Sequence, residues 1–150
     1  MKYSSEVKAI ARAIIEHEGT TERASVSQLL FDIESDFCND FEVCYESREY
    51  RIINNDDIQS TMEDELSSDE YILGCFNSWF LSEITGIDSE VFDAMKQSEA
   101  FEAIGKLIIS GGYLEELAEG YISADGAGHH FSHYDFSEDD TGDYTVFCIN

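Results

Sequence analysis

The sequence predicts an α+β fold: several short amphipathic helices with a small antiparallel sheet built from two hairpins. Three observations carry this. Apolar residues recur at helical spacing over most of the 150 residues. The period switches to strict alternation near residue 41 and again near the end of the chain. Helical stretches flank the first alternating segment and precede the second, which places helices beside an antiparallel sheet.

The first helix follows from Val7, Ile10, Ala11, Ile14 and Ile15, which form one apolar stripe. Ser5 is the expected N-cap and Gly19 the stop. A second helix is expected near 26–37, with Val26, Leu29, Leu30, Ile33 and Phe37 on one face. Phe41, Val43 and Tyr45 then alternate with Glu42, Cys44 and Glu46, the pattern of a half-buried strand. Residues 49–53 are its hairpin partner. The run 54–57 (Asn-Asn-Asp-Asp) reads as a turn that starts a helix.

Ile58, Met62 and Leu66 space a short acidic helix. Ser67 and Glu70 fit a capping box for a helix through Ile72, Leu73, Phe76, Phe80 and Ile84, ending at Gly86. Three more helices follow: one capped by Asp88, one from Phe101 to the Gly111-Gly112 stop, and one through Leu114, Leu117, Ala118 and Tyr121. Residues 125–128 read as a loop. Two strands, about 129–135 and 144–149, close the chain around an acidic loop. With no proline and no Gly/Ser linker, residues 1–150 read as a single α+β domain. Two small α+β halves are the alternative.

Charge narrows the function classes. Eight Lys and Arg oppose 33 Asp and Glu, a net charge of −25. That excludes a nucleic-acid binder working through basic phosphate contacts, and basic adhesion to an anionic membrane. Residues 1–31 are neutral, so the whole imbalance lies beyond them. A 17 kDa globule exposes roughly 7,700 Å², or about one net charge per 310 Å². DNA, taken as a cylinder of about 10 Å radius, carries roughly one per 107 Å². The chain approaches DNA's density only if its acids gather on one face.

The chemistry-bearing motifs fail one after another. No apolar run approaches the length of a membrane span, and the start lacks an apolar signal core. Cys38, Cys44, Cys75 and Cys148 sit in apolar patterns and read as reduced, mostly buried thiols of a cytoplasmic protein. On a strand, His129 and His133 lie about 13 Å apart and His130 faces away, so no metal site is expected. The loop 135–143 misses the EF-hand pattern whether the count starts at Asp135 or at Ser137. No phosphate loop, nucleophile elbow or zinc-protease motif occurs, so no cofactor and no enzymatic activity are expected.

What remains is acidic surface: Asp56, Asp57, Glu63, Asp64, Glu65, Asp69 and Glu70 in one stretch, Glu115, Glu116 and Glu119 in a second, Glu138, Asp139, Asp140 and Asp143 in a third. Solvated surface is the plain reading of such runs. An imbalance of four to one on short ordered elements points further, to docking into a groove lined with Lys and Arg. Asp56, Asp57, Glu63, Asp64, Asp69, Glu70, Glu138, Asp139 and Asp140 are the expected partner-binding residues.

In size, charge and lack of catalytic motifs, the chain resembles the small acidic inhibitor proteins of phages and plasmids. These include anti-restriction and anti-CRISPR proteins that mimic nucleic acid. The tail 128–135 (Gly-His-His-Phe-Ser-His-Tyr-Asp), with 144–150 (Tyr-Thr-Val-Phe-Cys-Ile-Asn), resembles the ends of some phage-type proteins. The resemblance implies a non-enzymatic inhibitor in a bacterial cytoplasm that binds the basic nucleic-acid channel of a host defence complex. It implies no particular site residues. Two other classes stay open: an interaction module using an apolar aromatic surface around Trp79, and a salt-adapted protein of unrelated function. Helical spacing places the stretch 71–80 in the core, with Trp79 beside the main stripe.

Overall fold

In the computed structural model the described residues are 2–19 and 23–150. Backbone proximity divides the chain into two compact units. One comprises Met1–Ile58 and Asp125–Asn150, the other Gln59–Ala124. The boundaries fall where two helices begin and end rather than in a linker, so no composition shift marks them.

The first unit holds the whole sheet. Helices α1 (Ser5–Glu18) and α2 (Arg23–Asp36) precede strands β1 (Asp40–Tyr45) and β2 (Arg48–Asn54). A short helix α9 (Ala127–Phe131) and strands β3 (Asp139–Asp140) and β4 (Tyr144–Cys148) return to it. The two hairpins join into one four-stranded antiparallel sheet of order β1-β2-β4-β3. Register puts Phe41 opposite Ile52, and Ile52 opposite Val146. These residues share a face with Val43, Tyr45, Tyr50 and Tyr144, packed on Val7, Ile10, Ile14, Leu29 and Ile33 of the helices. The alternation of β1 is as the sequence predicts. Inner β4 is buried on both faces. On the far face Phe147 meets Phe131 at 5.2 Å between ring centroids. Arg51 lies over Phe131 and makes a two-pronged contact with Asp40 at 2.9 and 2.8 Å.

Residues 129–135 are not the strand the sequence suggests. Ala127 and Phe131, one helical turn apart, enter the core as α9. The chain packs backbone to backbone there, because a Cβ on Gly128 would strike the Phe136 carbonyl. The aromatic alternation therefore reflects one helical anchor and a turn. The histidines fall accordingly: His129 is exposed and stacked on Phe136, His130 lies edge-on to Phe131, and His133 is exposed. Among the described residues no group of His, Cys, Asp or Glu is arranged to hold a metal.

The second unit is helical: α3 (Ile58–Ser67, starting at the unit boundary), α4 (Glu70–Gly74), α5 (Ser78–Thr85), α6 (Ser89–Gln97), α7 (Phe101–Ser110) and α8 (Leu114–Asp125). Leu66, Leu73, Leu81, Phe92, Ile104, Ile108 and Leu117 are buried. The single helix expected over 72–84 is two. Asn77 caps α5 by accepting from the Trp79 amide, which breaks the chain after Gly74. Capping elsewhere shifts slightly. Asp69, not Ser67, accepts from the Tyr71 and Ile72 amides to start α4, and Ser4, not Ser5, caps α1. Asp88 caps α6 as expected.

Splitting the helix turns its stripe. Trp79 is 73% exposed, Tyr71 51% and Ile72 49%, so the core placement of these residues does not hold. Phe76 is half-buried, against Phe80 and Tyr121. Trp79, the sole tryptophan, should emit like indole in water. An emission spectrum in dilute buffer checks this, and a blue-shifted maximum would count against the exposed position. The thiols also differ from expectation. Cys38, Cys44 and Cys75 are exposed, and only Cys148 is buried. Cys44 lies at an outward position of β1, and Cys75 at the break between α4 and α5.

Candidate functional site

The nine expected partner-binding carboxylates divide between the units. Asp56, Asp57, Glu138, Asp139 and Asp140 belong to the first; Glu63, Asp64, Asp69 and Glu70 belong to the second. The charge divides almost evenly. The first unit carries 19 acids and 6 bases, net −13; the second carries 14 and 2, net −12.

In the first unit Asn55 joins two acidic turns. Its amide donates to the Asp143 carbonyl at 2.8 Å. Its side-chain NH2 donates to Asp140 Oδ1 at 3.1 Å and to the Gly142 carbonyl at 3.0 Å. Thr145 donates to its side-chain oxygen. The Asp56–Asp57 turn is thereby held beside the loop that carries Asp140 and Asp143. Between them opens a hollow of about 300 Å³, lined by Glu6, Asp56 and Asp143 together with Phe37 and Tyr144. The rings of Phe37 and Tyr144 lie 5.3 Å apart.

Glu138 and Asp139 do other work. Glu138 accepts from the Gly128 amide, which helps fix α9. Asp139 is half-buried. Burial raises its pKa, with help from Asp135 and Glu16 and against the pull of His17. In the second unit Asp64 is exposed and Glu63 half-buried on α3. Asp69 is occupied as a cap, and Glu70 lies 4.0 Å from Lys106.

Sequence reading missed a second constellation in the first unit, centred on His17. Nδ1 of His17 is 3.0 Å from the Tyr50 hydroxyl and 3.4 Å from Glu18 Oε1. Nε2 is 2.8 Å from Asp135 Oδ2. Tyr50 donates a short hydrogen bond to Glu18 Oε1, on which Arg48 Nε also converges at 3.0 Å. Arg48 lies over the Tyr134 ring at 4.0 Å. The Ser137 amide donates to Asp135 Oδ1 at 3.0 Å. Partners 33 and 118 residues away from His17 leave no local signal to read.

The pKa shifts follow from these contacts. Burial draws His17 down, but the hydrogen bond and charge of Asp135, with Glu18, outweigh it, and the net shift is upward. Burial pushes Asp135 up, but the Ser137 hydroxyl and amide, His17 and Ser132 hold it well below the usual carboxylate range. Burial and Glu18 push Tyr50 far up. Burial also raises Cys148, whose thiol donates to the Asn150 carbonyl at 3.6 Å. Both ring nitrogens of His17 are engaged, so the cluster reads as a closed polar network rather than a base poised toward a substrate.

The signs give a pH profile. The His17 contribution to stability is complete below its unfolded value of about 6.5 and fades as pH rises through the folded value. The Asp135 contribution is complete above its unfolded value of about 3.8 and fades as pH falls through the folded value. The pair therefore stabilises most between those two unfolded values. Urea midpoints across pH should show this rise and fall, flattened by Asp135→Asn.

Among the described residues, no helix is long and apolar enough to cross a membrane. Comparison with known proteins gave no matching family model, no matching curated protein and no matching solved structure.

Proposed function

We propose that the chain is a non-enzymatic acidic inhibitor. Its carboxylate surface would occupy the basic nucleic-acid channel of a host defence complex, a CRISPR effector or a restriction enzyme, and exclude DNA or RNA. One observation supports this reading most: each unit is strongly acidic by itself, at −13 and −12. Carboxylates on ordered elements add to it. Asp140 is held by Asn55 and by the Gly142 amide, and Asp69 is fixed as a helix cap. Fixed carboxylates lose little freedom on meeting Lys and Arg, and their field steers the encounter. The experiment is capture of bacterial lysate components on the tagged chain, followed by assay of each captured complex for its bound nucleic acid. Release of DNA or RNA as this chain binds is the expected result. Capture that leaves nucleic acid in place would reject the reading.

A second reading rests on Trp79, Tyr71 and Ile72. Exposed aromatic side chains, tryptophan above all, dominate many protein interfaces. An interaction module using the α4–α5 corner would lose its partner in Trp79→Ala, with little dependence on salt.

A further inference from the structure

His17 lies in the last turn of α1, where the helix dipole favours a cation. Carboxylate or phenol oxygens face both of its ring nitrogens, and the protons can be counted. Asp135 Oδ2, opposite Nε2 at 2.8 Å, belongs to an ionised carboxylate and can only accept, so Nε2 carries a proton. Tyr50 has one hydroxyl proton, and Glu18 Oε1 takes it. The Tyr50 oxygen is left with lone pairs toward Nδ1 at 3.0 Å. Nδ1 therefore carries a proton too. The other assignment, Tyr50 donating to Nδ1, would press the phenol oxygen against a carboxylate with no proton between them.

We infer that His17 is held as an imidazolium and works as a proton-operated latch. It fastens the turn 135–137 to the end of α1.

The groups around it set the direction. Glu18 faces it from α1, Tyr50 from β2, Asp135 and Ser137 from the segment after α9, and Asp139 from β3, while Arg48 meets Glu18 and Glu16 acts on Asp139. With the proton present, two cations, His17 and Arg48, offset half the charge of four carboxylates, Glu16, Glu18, Asp135 and Asp139. Once the proton leaves, Nδ1 stops donating and Arg48 alone faces them. Repulsion then falls on Asp135, in the latched turn, and on the half-buried Asp139 of β3. The latch is closed on the acid side of the His17 titration and loosened on the alkaline side. It acts within the chain alone and needs no partner.

NMR of the intact chain between about pH 5 and 9 tests this. The 15N shifts of the His17 ring report both protons, and the Ser137 amide reports the segment, since it donates to Asp135. The expected result is a doubly protonated ring whose titration midpoint lies above 6.5. Ser137 protection, corrected for intrinsic exchange, should fall on the order of three- to tenfold through that same midpoint. His17→Gln should remove the step. Asp135→Asn keeps an oxygen for Nε2–H but not the charge, so it should lower the midpoint and shrink the step even if His17→Gln fails to fold. A midpoint at or below 6.5, a step that does not follow it, or an Asp135→Asn chain titrating like the parent would each overturn the latch.

Discussion

Gly105→Ala should destabilise the helical unit by about 3 kcal/mol, although helix propensity alone favours alanine by about 1 kcal/mol. The cause is the contact between α4 and α7. A Cβ on Gly105 would fall on the Glu70 carbonyl, and one on Gly74 would fall on the Phe101 carbonyl. The two glycines thus let the helix backbones touch at two points, and neither backbone can yield without shifting a helix. Gly74→Ala should behave alike. Lys106→Ala, at the next and exposed position, loses only a 4.0 Å pair with Glu70 and should cost less than about 1 kcal/mol. Urea unfolding followed by circular dichroism measures all three. A Gly105→Ala chain as stable as the parent would refute the close contact.

The second large effect concerns binding. Asp56→Lys and Asp64→Lys reverse two exposed carboxylates, one on each unit. Each reversal turns attraction into repulsion at a basic groove, worth on the order of 1–1.5 kcal/mol near a protein surface at low salt. Where both units dock, the two together should weaken the captured complex by about thirty- to 150-fold. Glu34→Lys, exposed on α2 and outside the expected set, should change it by less than about threefold. The single variants tell which unit docks: a loss confined to Asp64→Lys would place the contact on the helical unit. Equal losses in all three would remove the assignment of particular residues.

Much of the fold was legible because its signals are local. The stripe of Val7, Ile10, Ala11 and Ile14 lies within α1, and the alternation of Phe41, Val43 and Tyr45 within β1. Errors arose where a long-range contact decides local structure. Phe131 folds as part of a helix because Phe147 receives it, and Gly128 permits the approach of residue 136. Trp79 left the core because Asn77, a cap with no hydrophobic signature, broke the helix. The acidic residues were visible as a list, but not their duties. Nothing near Asp69 or Glu138 in sequence tells that one caps a helix and the other holds the Gly128 amide. The His17 cluster needed three distant segments at once.

If this chain takes the place of nucleic acid, its binding must displace nucleic acid from the target. The captured complex, loaded with labelled DNA or RNA, is titrated with this chain at about 50 and 500 mM salt. Stoichiometric release of the label is expected at low salt and much weaker release at high salt, with Asp56→Lys and Asp64→Lys impaired. Tight binding that leaves the label in place at both concentrations would contradict it, and loss of that binding in Trp79→Ala would assign the interaction to the α4–α5 corner instead.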